Sequence, residues 1–163
     1  IEEPTSDSSL KGRGYNSFAR VFGAHTADSM QYDLLKKNAI ENKVDYRIKF
    51  AQFDVLCDTL DGAFDAVISN PPYITTADCE TLDPRVKDYE PRSALDGGVS
   101  GLDFYERFIG DAMNVLKPGG ALFFEIGDGQ GDALRALFES YGFTDIKIEK
   151  DFSGHDRYAS GRL

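Results

Sequence analysis

An α/β fold, with a mostly parallel sheet closed by an antiparallel hairpin, is predicted for this chain from three observations. Short apolar segments alternate with helix-length amphipathic ones, the order that builds parallel sheets. One apolar segment, Phe64-Asp65-Ala66-Val67-Ile68-Ser69, stops abruptly at Asn70-Pro71-Pro72-Tyr73. The last two strand-like stretches, 144–150 and 157–162, are joined by Ser153-Gly154-His155-Asp156, a link short enough for an antiparallel pair.

Taken in order, residues 1–18 are polar and rich in Ser, Gly and charge, and are expected to form a loose segment. Gly12 and Gly14 resemble a glycine-rich nucleotide loop only superficially, because no apolar strand leads into them. Arg20 to Ala24 reads as a short buried strand. Asp28, with Gln31 three residues on, is a plausible N-cap for a helix running to about Asn42, with Leu34, Leu35 and Ala39 on its inner face. Tyr46 to Phe50 alternates as a strand and is followed by Asp54. Phe64 to Ser69 has the run of a buried, central strand. From Tyr73 to about Gly101 the chain is loop-like, and so long a connection is usually functional; it is expected to fold over the site. A helix from Leu102 to Lys117 follows, with Leu102, Tyr105, Phe108, Ile109, Ala112, Met113 and Leu116 on one face and Ser100 with Asp103 as a capping box. Lys117-Pro118-Gly119-Gly120 is expected to stop it. Ala121 to Ile126 reads as a strand. Gln130 to Tyr141 reads as a helix with Leu134, Leu137, Phe138 and Tyr141 inward.

Composition narrows the function classes. The chain has 163 residues, 41% apolar and 12% aromatic, which suits one folded domain over 19–163. No apolar run is long enough to cross a membrane, and the acidic opening Ile1-Glu2-Glu3-Pro4 is no signal peptide. Cys57 and Cys79 are isolated and read as free thiols of a reducing cytoplasm. Neither they nor His25 and His155 have metal-ligand spacing, so no metal is expected. The net charge of −10 disfavours nucleic acid as a substrate, since a duplex-binding surface needs cations to neutralise phosphates. A further domain could still supply them.

The turn at residues 70–73 carries the chemistry. Each proline fixes φ and donates no hydrogen bond, so the turn is stiff. It leaves Asn70 and Tyr73 at the carboxyl end of a strand, where open α/β sheets bind ligands. The Asn70 side-chain carbonyl and the Pro71 carbonyl can both accept hydrogen bonds from a substrate NH2 group. The Tyr73 ring can stack on a flat amide or a base. Such a site would hold a planar, weakly basic nitrogen with its lone pair aimed at an electrophile.

Together the segments resemble Rossmann-like, class I S-adenosylmethionine-dependent methyltransferases, and more narrowly the HemK/PrmC family. That family methylates the side-chain amide of the glutamine in the GGQ motif of peptide-chain release factors. The matching pieces are Asn70-Pro71-Pro72-Tyr73-Ile74, Glu90-Pro91 with Ala94-Leu95, Gly97-Gly98 and Gly101-Leu102-Asp103-Phe104-Tyr105. Leu116 to Gly120, Glu125-Ile126-Gly127 with Gln130, and Lys150-Asp151 through Asp156-Arg157 match as well. The first of these is shared with methylases of adenine and cytosine amines.

The resemblance implies a substrate-amide clamp at Asn70, Pro71, Pro72 and Tyr73, and contacts to S-adenosyl-L-methionine at Asp54, Val55 and Asn70. Asp28 stands near where the family's ribose-binding acid is expected, a position that falls on His25 or Thr26, though Asp28 reads better as a helix cap. Glu90 reads either as a pocket residue or as a surface acid. Twenty residues precede Val21, and they do not spell the family's Asp-x-Gly-x-Gly-x-Gly loop. The first strand, the glycine-loop helix and the N-terminal recognition domain are therefore expected to be absent or degenerate. Three functions follow: methylation of the release-factor glutamine, methylation of a nucleic-acid amine, or a cofactor-dead module that only binds a partner. An exposed sheet edge left by the missing strand would favour a homo-oligomer.

Overall fold

The structure is a computed structural model, and it describes residues 19–24, 29–53, Asp58 and 61–163. The expectations for Gly12, Gly14, His25, Thr26, Asp28, Asp54, Val55 and Cys57 concern residues outside that set. The described chain divides into two compact units, residues 19–23 with 29–51, and Ala24 with the described residues from Gln52 to Leu163.

Strand β1 (Ala19–Ala24), helix α1 (Ser29–Glu41), a 3-10 turn at Asp45–Arg47 and strand β2 (Ile48–Phe53) come first along the chain and belong to the first unit except for Ala24, Gln52 and Phe53. β1 and β2 pair as a two-stranded sheet. β2 starts two residues later than the alternation suggests, because the Arg47 N–H closes a tight turn onto the Val44 carbonyl at 3.0 Å. The face of α1 also differs from the expected one. Leu34 is 55% exposed and Leu35 is also exposed, while Ala39 is buried. The face in use is Tyr32–Lys36–Ala39, at i, i+4 and i+7. Tyr32 stands edge-on to Phe50 with ring centroids 6.5 Å apart, and the Lys36 ammonium lies over the Tyr32 ring at 4.1 Å.

The second unit runs through β3 (Phe64–Ser69), the single-turn helices α2 (Thr76–Cys79) and α3 (Pro84–Lys87), and a 3-10 turn at Arg92–Ala94. It continues through α4 (Asp103–Val115), β4 (Leu116–Glu125), α5 (Gly131–Ser140), β5 (Thr144–Lys150) and β6 (Asp156–Arg162). The stretch between Tyr73 and Gly101, expected as loop, thus contains three short helical turns. The four strands form one sheet in the order β3-β4-β6-β5. β3 runs parallel to β4, and β6 is antiparallel to both β4 and β5, so the expected terminal hairpin is present.

Side chains alternate across a strand, and only one face of this sheet packs on α4 and α5. Leu122, Phe124 and Ala159 point to that face and are buried with Tyr105, Phe108, Ile109, Leu134 and Phe138. The rings of Tyr105, Phe108 and Phe138 all surround Phe124, at centroid distances of 5.1, 6.0 and 5.9 Å. On the other face Ile68 and Phe123 are register partners and both are exposed, Ile68 at 78%. Within the second unit β3 is thus not fully buried. It is an edge strand of the described sheet, and of its apolar residues Val67 packs against the core.

Helix α4 ends at Val115, earlier than expected, and Leu116 is already extended (φ −77°, ψ 138°). The residue before a proline is disfavoured in a helix, and here the chain leaves the helix two residues ahead of Pro118. Lys117-Pro118-Gly119-Gly120 is consequently no helix stop but an irregular opening of β4. Opposite Phe64 stands Leu116, yet opposite Ala66 stands Ala121, and the surplus residues bulge between them. Gly119 adopts φ 77° there, and its N–H bonds the Leu163 carbonyl at 2.9 Å. Met113, expected inward, is exposed, whereas Phe104 and Val115 are buried. Nor is Ser100 a capping box partner. Leu102 is the N-cap residue without a side-chain cap, and the Ser100 hydroxyl accepts the Leu102 N–H at 3.2 Å.

Replacing Phe124 with alanine removes the ring that three others pack on. Unfolding in urea should then show a loss of about 3–5 kcal/mol. Phe152 is fully exposed at the β5–β6 turn, and Phe152→Ser should change stability by no more than about 0.5 kcal/mol in the same assay.

Candidate functional site

The chain leaves β3 at Asn70 and turns through Pro71 and Pro72 with neither residue able to donate a backbone hydrogen bond. Pro71 is fully buried, Pro72 and Tyr73 are half-buried, and Asn70 is exposed. The Asn70 side chain makes no hydrogen bond to a described residue. A cavity of about 180 Å3 lies against the turn, lined by Asn70, Pro71, Tyr73, Ile74, Ala94 and Leu95. A larger hollow of about 350 Å3 runs from Asn70 along the open face of the sheet past Phe123 and Tyr158.

Close packing fixes the turn from three sides. A Cβ on Gly97 would stand 2.7 Å from the Pro72 carbonyl oxygen and 2.8 Å from the Tyr73 Cα. One on Gly101, where φ is 74°, would stand 2.5 Å from the Tyr73 carbonyl oxygen. One on Gly127 would stand 3.1 Å from the Tyr73 ring. Glycine is required at Gly101 on both grounds, conformation and contact.

The wall of the small cavity is the stretch after the turn, folded back on itself. The Ile74 N–H donates to Leu95 O at 3.0 Å, the Gly97 N–H to Ile74 O at 2.8 Å, and the Thr76 N–H to Gly98 O at 2.9 Å. Exposed charges clasp the fold: Arg92 pairs with Glu80 and, at 3.1 Å, with Asp96, while Lys87 reaches Glu80 at 3.1 Å. The Thr76 hydroxyl and the Gly98 N–H, with Arg92 adding to them, hold the Asp96 carboxyl below its ordinary range. Arg92 and Lys87 do the same for Glu80. Glu90 is exposed and lines neither hollow, which favours the surface-acid reading.

Sequence reasoning passed over the residues behind the turn, which it treated only as parts of a matching pattern. The Tyr73 hydroxyl donates to Glu125 at 3.4 Å. Burial and the Glu125 carboxylate raise the Tyr73 pKa, with Arg157 opposing them, so the ring stays neutral. Tyr105 is wholly buried, and its hydroxyl donates to the Glu125 carbonyl at 2.9 Å. Gln130, the N-cap residue of α5, donates from its side-chain amide to Tyr73 O at 3.1 Å and Gly101 O at 3.2 Å. Its amide oxygen accepts the Gly127 N–H at 2.9 Å. Arg157 spans the Ile126 carbonyl at 3.2 Å and Asp151 at 3.4 Å. The signal that could have found them is the grouping of polar residues directly after β4, at a strand's carboxyl end.

The geometry therefore brings Asn70, Pro71 and Tyr73 together around one small cavity, while Pro72, in the same turn, does not line it. Asp54, Val55 and Asp28 lie outside the described residues. Among the described residues no group of three or more His, Cys, Asp or Glu side chains could hold a metal ion.

Comparison with known proteins bears on what such a turn does. The model of the Eco57I restriction-modification methylase family matches residues 14–127. The chain belongs to this methylase family. The expected HemK/PrmC kinship is borne out by curated relatives named release factor glutamine methyltransferase. The one from Geobacter sulfurreducens is 48% identical over 103 residues, which is 63% of this chain and 36% of the relative. That from Caulobacter vibrioides is 40% identical over 135 residues, 83% of this chain and 47% of the relative. The chain thus spans less than half the length of these relatives. Among solved structures, a methyltransferase from Pyrococcus furiosus superposes with a TM-score of 0.57 at 16% identity, covering 88% of this chain and 62% of its own. That likeness establishes the Rossmann-like, class I methyltransferase fold.

Two outcomes follow for this site. Gly101→Ala forces a side chain into the left-handed region and against the turn, and should cost about 1–3 kcal/mol in urea unfolding. The second concerns pH. A depressed pKa means that the folded clasp binds protons less readily than the unfolded chain does. The stability from Asp96 and Glu80 is therefore present above about pH 4 and lost as pH falls through their lowered values. Hydrogen exchange at the Ile74, Thr76 and Gly97 amides, relative to intrinsic rates, should quicken below about pH 4 while exchange in β4 does not.

Proposed function

We propose that the protein transfers the methyl group of S-adenosyl-L-methionine to the side-chain amide nitrogen of the glutamine in the GGQ motif of a peptide-chain release factor. The observation that carries this reading is the Asn70 amide, without a bonding partner among the described residues, beside the buried Pro71 and the Tyr73 ring. The names of the curated relatives support it.

The residues suit an acceptor amide. The Asn70 side-chain carbonyl and the Pro71 carbonyl accept the two amide hydrogens, and the Tyr73 ring packs on the amide plane. An amide lone pair is conjugated with its own carbonyl. Fixing both hydrogens orients the nitrogen and favours loss of that conjugation, so most of the acceleration is orientation and electrostatic fit. The donor fits the same place, because ligands of open α/β sheets lie at strand carboxyl ends. Asn70 meets it there, and Asp54, Val55 and Asp28 are its further contacts by position in the sequence. S-adenosyl-L-methionine supplies a sulfonium-activated methyl group, and no metal is needed. A release-factor substrate would place this work in the cytoplasm.

A second reading, methylation of an exocyclic amine in nucleic acid, is favoured by the family's description as a restriction-modification methylase. The net charge of −10 weighs against it.

The test is methyl transfer by the full-length protein with labelled S-adenosyl-L-methionine and two acceptors, a release factor and a DNA duplex. Label should enter the factor, and substituting the GGQ glutamine should abolish it. Asn70→Ala should lower kcat/KM by about 10²-fold. Label in the DNA alone would establish the second reading, and label in neither would leave the partner-binding module.

A further inference from the structure

The Asn70–Tyr73 turn cannot hold itself in place. Two of its residues are prolines, so the groups it offers are chiefly carbonyl oxygens, and a carbonyl is fixed only by a donor from elsewhere. Among the described residues, Gln130 supplies that donor. Its side-chain amide nitrogen, Nε2, gives its two hydrogens to Tyr73 O at 3.1 Å and Gly101 O at 3.2 Å. Its Oε1 accepts the Gly127 N–H at 2.9 Å and faces the Tyr105 hydroxyl at 3.5 Å. This orientation of the amide is the one its partners require. Turned over, its oxygen would face two carbonyls and its NH2 the Gly127 N–H.

Gln130 is itself mounted rigidly. Its backbone N–H donates to Gly127 O at 3.2 Å, and its carbonyl accepts the Leu134 N–H at 3.0 Å at the start of α5. The Phe138 and Leu134 side chains of that helix are fully buried in the core. A single amide thus ties the turn after β3, the turn before α4 and the loop after β4 to one helix end. Gly101 and Gly127 leave the room it needs: a Cβ on either would come within 2.9 to 3.0 Å of its side-chain atoms.

We propose that Gln130 is a positioning residue for methyl transfer, its side-chain amide fixing where the Asn70 and Pro71 acceptors and the Tyr73 ring stand. This rests on the amide-methylation reading above. Gln130 lines neither hollow, so it acts through the turn and not by touching the acceptor.

The experiment uses the full-length protein with Gln130→Met, which removes the side-chain hydrogen bonds at near-constant shape, and Gln130→Glu, which keeps the acceptor oxygen and loses the donors. For both, kcat should fall about 10-fold or more while the KM for S-adenosyl-L-methionine stays within about 2-fold. Exchange at the Ile74, Gly97 and Gly101 amides should quicken about 10-fold, with Leu122 and Phe124 unchanged. Unchanged exchange around the turn overturns the proposal, whatever the kinetics. A rise spread evenly over β4 and α4 also overturns it, since that is loss of stability and not of position. If the unsubstituted protein methylates no acceptor, the functional reading fails while the exchange comparison still decides the role of Gln130.

Discussion

A turn made of two successive prolines must be held by its surroundings, and much of this site follows from that. Pro71 and Pro72 give the chain a fixed φ but no N–H, so no ladder and no turn of their own closes on them. Their position is set instead by exclusion and by borrowed donors. Gly97, Gly101 and Gly127 press bare backbone against Pro72 and Tyr73, and the Gln130 amide reaches across to the Tyr73 carbonyl. The result is a strand end whose acceptors are rigid while Asn70 faces outward.

The core serves the same end. Phe124 lies among three aromatic rings and fixes β4, and β4 carries Glu125 and Gly127 to the back of the turn. Burial therefore sets the height of β4 relative to β3, and the parallel register from Ala66 to Ser69 conveys it to Asn70. The bulge at Lys117–Gly120 absorbs the mismatch at the end of the pair far from Asn70.

Much of this was legible in the sequence, and the failures have physical causes. The terminal hairpin and both long amphipathic helices follow from periodicity, and the small cavity's Asn70, Pro71 and Tyr73 follow from residue type. Burial on two faces did not: the apolar run Ala66-Val67-Ile68 reads the same whether or not both faces are covered, and here Ile68 is exposed. Likewise Pro-Gly-Gly reads as a helix stop, since a bulge depends on the partner strand and leaves no local mark. Leu34 and Leu35 read as inward residues beside Ala39, although Tyr32 and Lys36 share the face of Ala39. Gln130 was visible as part of a pattern. Its bonds to Tyr73 and Gly101 join positions 57 and 29 residues away, and no spacing rule spans such distances.

The wall of the cavity is fastened differently from the turn. Glu80, Lys87, Arg92 and Asp96 hold it through solvent-exposed ion pairs, and such pairs weaken as ions screen them. Added salt would therefore loosen this wall of the cavity even where the molecule bound there is uncharged. For most enzymes acting on DNA a steep loss of activity with salt is read as displacement from phosphates. In this protein the same loss would carry a contribution from the cavity wall's own ion pairs, and ionic strength alone is a poor guide to what the cavity binds.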